Sequence, residues 1–331
     1  MRALVSRVCG PPETLELAEL PEPTAGSGQI CVAVEACGIN YPDVLMIEDR
    51  YQFKIERPFA PGIEICGRVS SVGQGVEGFS EGMRVVAQLK AGGLAEKALV
   101  DPGRAIPVPD GVSSELAASM LLTYGTSYHA LRDRAALQPG ETLLVLGAGG
   151  GVGLAAVELG KRMGARVVAA VSSEAKAEKA RAAGADDVIV YATTDVDQRV
   201  LAAQFKTACP EGADVVYDPV GGAYAEPAFR AIKWEGRYLV IGFAAGIPNL
   251  PLNLPLLKGA QVVGVFWGAA VERDPAAMMA SMTEVIKWVS EGTLSPLQPT
   301  VYPLEDAGKA IAALAERQAI GKLVVSIRGT A

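Results

Sequence analysis

The sequence predicts an α/β chain: an irregular β-barrel first, then a doubly wound parallel sheet, then a tail that returns to the first domain. Three observations carry that prediction. Residues 1 to about 122 alternate short β-type runs with Gly/Pro punctuation, residues from about 140 to 267 alternate strands with helices, and a glycine-rich turn opens the second region. A length of 331 residues allows about two domains of ~150 residues, each with a sizeable core.

In the first region the β-type runs are MRALVSRV, QICVAVEACGI, CGRVSSVG, RVVAQL, EKALV and RAIPVP. In the second, candidate strands are TLLVL (142–146), RVVAAV (166–171), VIV (188–190), DVVY (214–217), RYLVIG (237–242) and QVVGVF (261–266). Between them lie segments with apolar residues at helical spacing, several ending in a glycine stop at Gly164, Gly184 or Gly236. The tail adds helical patterns at 275–291 and 305–316 and a strand KLVVSI.

Composition excludes several kinds of function. Half of the residues are hydrophobic, 20% are charged and mean hydropathy is +0.25, too apolar for a disordered chain. A net charge of −7 leaves no footprint for non-specific nucleic-acid binding. The single histidine, His129, rules out paired-histidine metal sites. Five scattered cysteines without a C-x-x-C (Cys9, Cys31, Cys37, Cys66, Cys209) predict no disulfide framework and a reducing, cytoplasmic setting. The opening MRALVSRVCGPPETLE turns polar too early for a signal peptide. The charge-free stretch Tyr238 to Leu257 is broken by Gly242, Gly246, Pro248, Pro251 and Pro255, so no spanning helix is expected there.

The sharpest motif is Leu146-Gly147-Ala148-Gly149-Gly150-Gly151-Val152-Gly153, after a strand and opening a helix. It reads as a dinucleotide fingerprint with Ala148 in the first glycine place and Gly150 and Gly153 in the others. Gly150 lets the backbone approach a pyrophosphate, Gly153 lets helix pack on strand, and the helix N-terminus offers free N–H groups. An NAD site wants an acid at the end of the second strand. Here RVVAAV ends in Ser172 and Ser173, Glu174 falls one place late, and Lys176 adds a positive charge on the same turn. NADPH is therefore the expected cofactor; Lys179 and Arg181 read as a solvated helix face.

The fingerprint, the Ser-Ser strand end, the segment DVVYDPVGGAYAE…GRYLVIGFAAGIPNLPLNLPLLKGAQVVGVFWG and the opening CGINYPDVLMIEDRYQ…PFAPGIEICGRV together resemble the zinc-independent quinone oxidoreductase branch of the medium-chain dehydrogenase/reductase superfamily. The resemblance runs from about residue 1 to 327. It implies a GroES-like catalytic domain (1–122 and 268–331) with a Rossmann domain (123–267) inserted. The places of the zinc ligands in the superfamily's alcohol dehydrogenases are taken by Asn40, Ile63 and Leu122, none of which coordinates zinc usefully.

By the same resemblance, Lys176, Tyr191 and Arg317 surround a 2′-phosphate. Gly242, Phe243 and Ala244 lie at the nicotinamide half, with Phe266 and Trp267 beside it. Thr126 and Tyr128 begin the substrate and nicotinamide lining, and His129 is structural. Asn40 is the family's pocket asparagine, donating a hydrogen bond, with Asp43 its N-x-x-D partner. Tyr51, eleven after Asn40, matches the proton donor of related enoyl reductases, although Asp49 stands where the family usually has glycine. A homodimer paired through the edge strand 261–266 is also implied. Three functions remain open: an NADPH:quinone reductase, an enoyl- or acryloyl-type C=C reductase, and a non-catalytic NADPH-binding protein.

Overall fold

The computed structural model describes residues 1–327. The chain forms two compact units, Met1–Leu122 with Ala270–Ala331 and Thr123–Ala269. The first unit opens with strands β1 (Arg2–Val5) and β2 (Glu16–Glu19), an antiparallel pair. It continues with β3 (Ile30–Ile39), β4 (Glu64–Val72), β5 (Arg84–Gln88), β6 (Lys97–Val100) and β7 (Ala105–Pro107). The second unit holds β8 (Thr142–Leu146), β9 (Arg166–Val171), β10 (Asp187–Val190), β11 (Ala213–Asp218), β12 (Ile232–Val240) and β13 (Gln261–Gly264). The tail returns β14 (Thr300–Pro303) and β15 (Leu323–Ser326) to the first unit.

In the first unit the sheet order is β14-β15-β3-β4-β5-β7, with β6 also on β3. β3 pairs with β15, β4 and β6, and its Ile30, Val32, Val34 and Ile39 pack in one core with Ile65, Val85 and Leu323. The pairing register positions the site. β15 runs antiparallel to β3 with Leu323 opposite Ile39, so one step further Lys322 faces Asn40. β3 pairs β4 with Cys37 opposite Ile65, which brings Glu64 beside Gly38. Gly38 is required there: a Cβ would stand 2.0 Å from the Ala118 carbonyl and 2.8 Å from the Glu64 carboxylate.

The second unit is a six-stranded parallel sheet in the order β10-β9-β8-β11-β12-β13, the doubly wound pattern. The order reverses between β8 and β11, so the crevice for a ligand lies beyond their carboxyl ends. Gly164 and Gly184 take positive φ after the helices Gly151–Arg162 and Glu174–Ala182, as glycine stops should. Gly236 does not. The helix Ala225–Arg230 ends early, and β12 already runs from Ile232 through a bulge that shifts its register between Ala213 and Val215, with Glu235 at φ 59°. Ile232 and Trp234, expected to belong to a helix running to the Gly236 stop, lie instead in that bulged strand. Strands β2 and β14 and the helix Trp267–Arg273 were not signalled by periodicity; β2 and β14 are four-residue, mostly exposed strands.

Candidate active site

At the switch point of the second unit, β8 feeds the turn Gly147–Gly150 and the helix Gly151–Arg162, N-capped by Gly150. Gly147 takes φ 58°, and a Cβ on it would stand 2.8 Å from Val220 of the loop after β11. Gly153 is fixed by packing, since a Cβ would stand 2.2 Å from the Gly147 carbonyl. At Gly150 a Cβ would meet nothing of the chain nearer than 3.6 Å, leaving its outer face open to a ligand. Ala148 is fully buried, and Val152 gives its carbonyl to Ser127 Oγ at 2.9 Å.

The end of β9 lies alongside. Ser173 N-caps the next helix through its hydroxyl to Lys176 N, and Lys176 Nζ donates to Ser172 Oγ at 3.2 Å. The Lys176 stem lies across Gly149, where a Cβ would meet it at 2.5 Å, and burial holds the ammonium below the usual lysine range. Tyr191 hydrogen-bonds from its backbone to Val171 and packs its ring on Tyr224 at 4.9 Å. Two hydroxyls and an ammonium thus gather at the end of β9, where NAD sites carry an acid. An open glycine face, a helix N-terminus and these donors fit a nicotinamide dinucleotide.

Beyond β11 a second loop closes the crevice. Asp218 Oδ1 accepts from Val220 N at 2.7 Å and Gly221 N at 2.9 Å, and its other oxygen accepts from Tyr238. Gly242 and Ala244 donate back to the Asp218 and Pro219 carbonyls at 3.3 Å, so both loops form one clamp at the carboxyl end of the sheet. Phe243 stands 43% exposed on it. The pair Phe266 and Trp267 separates: Trp267 is buried against Gly125, whereas Phe266 is half exposed. Thr126 is half-buried and Tyr128 carries Arg132 over its ring. His129 bonds Asp133 at 2.8 Å. Arg317 is exposed at φ 60° in the other unit, after the helix Ala307–Ala315.

In the first unit, the strand ends assemble Asn40, Glu64 and Lys322. Lys322 Nζ donates to Asn40 Oδ1 and, at 3.0 Å, to Glu64 Oε2; the Lys322 and Glu64 side chains are 9% and 1% exposed. Because an ammonium only donates, the Asn40 carbonyl oxygen must face it, which orients the amide. Both Asn40 N–H groups then point at Gly38 O (3.1 Å) and Glu64 Oε2 (3.0 Å). The expected donor capacity of Asn40 toward a substrate is committed within this network. Asp43 accepts from Asn40 N at 2.8 Å and Gly62 N at 3.0 Å, so it ties the helix Tyr41–Ile47 to the loop before β4. Burial pushes its carboxyl up to about 6. Tyr51 is half-buried, edge-on to Phe53 at 5.0 Å, and burial with the Asp43 charge raises its phenol.

Sequence reasoning missed Glu64, Lys322 and Asp218. A glutamate inside the apolar run Gly62–Gly67 and a lysine leading an apolar strand were signals, since a buried charge needs a partner.

Comparisons with known proteins agree with this fold. Residues 151–288 match the family described as zinc-binding dehydrogenase, and residues 26–110 the alcohol dehydrogenase GroES-like domain. A quinone oxidoreductase-like protein 2 homolog from Nematostella vectensis is 33% identical across 99% of this chain and 89% of its own length. Among solved structures, a probable oxidoreductase from Mycobacterium abscessus is 33% identical, with a TM-score of 0.87 across 99% of both chains. The Escherichia coli quinone oxidoreductase complexed with NADPH is 27% identical, with a TM-score of 0.90 across 99% of this chain and 100% of that one. Fold and site define an oxidoreductase that uses a nicotinamide dinucleotide and a small-molecule substrate. Within that class, the chain belongs to the zinc-independent quinone oxidoreductase branch of the medium-chain dehydrogenase/reductase superfamily. No described helix is long and apolar enough to cross a membrane.

Proposed function

We infer that this protein is an NADPH-dependent reductase of quinones and related conjugated carbonyls. The observation that carries the cofactor choice is the Ser172–Lys176 cluster at the end of β9, with hydroxyls and an ammonium in place of an acid. A carboxylate there would repel a 2′-phosphate; Ser172, Ser173 and Lys176 donate to it. Tyr191 flanks the same place, and Arg317 is assigned to the phosphate by resemblance alone. Bound, the reduced nicotinamide supplies a hydride. The chain's part is to hold the dinucleotide by Ala148, Gly150, Gly151, Val152 and Gly153, to place its nicotinamide half by Thr126, Gly242, Phe243, Ala244 and Phe266, with Trp267 packed behind against Gly125, and to exclude water.

One observation favours a second reading. Among the described residues the Tyr51 hydroxyl has no hydrogen-bond partner, and its raised pKa keeps it protonated and able to donate. That suits protonation of an enolate, as in reduction of an enone or enoyl thioester. Following NADPH absorbance against 1,4-benzoquinone, a simple enone and acryloyl-CoA decides between them. Quinone turnover indifferent to Tyr51→Phe supports the first reading; enone or thioester turnover lost in Tyr51→Phe supports the second. Cofactor binding with no consumption on any acceptor points to a non-catalytic NADPH-binding protein.

The second unit's exposed edge strand β13 supports a homodimer paired through that edge. Five unpaired cysteines support a reducing, cytoplasmic setting.

A further inference from the structure

We propose that the Lys322 ammonium is a catalytic hydrogen-bond donor to the oxygen of the acceptor, a role that rests on the reductase reading above. An ammonium carries three N–H donors. Two are placed, on Asn40 Oδ1 and Glu64 Oε2. Among the described residues the third has no partner, although the side chain is only 9% exposed. The polar groups around it are committed. Both Asn40 N–H groups are bonded, both Asp43 oxygens accept backbone N–H groups, and Glu64 Oε1 accepts from Leu122 N at 3.1 Å.

A second observation marks the same corner. Gln88 lies opposite Glu64 in the register of β4 and β5, so the two side chains leave one face of the sheet. Gln88 is buried, and its Oε1 has no hydrogen-bond partner. An uncommitted donor and an uncommitted acceptor beside one carboxylate, in a wall otherwise satisfied, fit a polar ligand atom.

The chemistry asks for that donor. When hydride reaches the acceptor, a C–H bond forms there and the displaced π pair moves onto the acceptor's oxygen. The resulting oxyanion takes its proton from water. A charged donor held in place by Glu64 and Asn40 stabilises the developing charge without reorganising. The donor role expected of Asn40 thus passes to the lysine that orients its amide.

Lys322→Met alone leaves Glu64 buried without its counter-charge, so the test uses Lys322→Met/Glu64→Gln, which restores charge balance. NADPH affinity by fluorescence titration should stay within about threefold of wild type, while kcat with 1,4-benzoquinone falls by about 10²–10³. A folded double variant with wild-type kcat overturns the proposal, as does one that loses NADPH affinity and keeps kcat. A probe independent of turnover is 4-nitrophenolate, an oxyanion titrated by absorbance. Binding at least about tenfold weaker in the double variant is expected; equal binding, or none to wild type, overturns the role. Wild type without turnover on any acceptor, yet with nitrophenolate binding lost in the variant, defeats the reductase reading alone.

Discussion

Lys176 packs its stem across Gly149 and bonds Ser172, so the glycine turn and the candidate phosphate site are one piece of structure. Lys176→Ala should raise the KM for NADPH far more than that for NADH, by about 1–3 kcal/mol for a charge-assisted hydrogen bond; an equal rise in both would remove the 2′-phosphate assignment. Asp49 offers a separate residue-scale test. It holds φ 54°, the left-handed conformation that glycine adopts freely, and its carboxylate bonds Arg57 at 2.7 Å. Asp49→Gly relieves the backbone cost but removes the ion pair, so stability should change by less than ~1 kcal/mol. Asp49→Ala keeps the strain and loses the pair, costing about 1–2 kcal/mol by denaturant titration. The glycine-for-Asp departure was visible in the sequence, but that Asp keeps the turn's conformation was not, because its half-buried partner lies eight residues on.

At the scale of elements, the cap of the helix Tyr41–Ile47 makes stability depend on pH. Burial outweighs the two backbone N–H groups on Asp43 and lifts its pKa from 3.8 to about 6. The folded state therefore holds that proton more tightly than the unfolded chain. The group's contribution is greatest below about pH 4 and declines as pH rises through 6, by roughly 3 kcal/mol in all. Asp43→Asn should lower stability overall yet flatten the difference between pH 4.5 and 7.5; an unchanged pH slope would contradict this. The parallel strands were legible because each is a nearly continuous apolar run bounded by turn residues. β12 was misread at its start, since a bulge at Glu235 breaks the period on which the reading depended. The Asn40–Glu64–Lys322 cluster was illegible for another reason: its members lie 282 and 258 residues from Lys322, and only strand register brings them together.

For the whole molecule, the edge of the second unit makes the next prediction. On β13 Val262 is 48% exposed, and Leu256 and Leu257 in the preceding helix are 79% and 67% exposed. An apolar, unpaired strand edge is a template for another strand. Light scattering should give twice the chain mass for wild type and a single chain for Val262→Lys. A wild-type monomer would contradict pairing through this edge.

On the proposed function, the Ser172–Lys176 cluster selects the phosphorylated coenzyme for reduction of a conjugated carbonyl. The most direct measurement is kcat/KM for NADPH and for NADH with 1,4-benzoquinone as acceptor. A preference for NADPH of about tenfold or more is expected, the worth of one charge-assisted hydrogen bond. Equal use of the two coenzymes, or a preference for NADH, would contradict it.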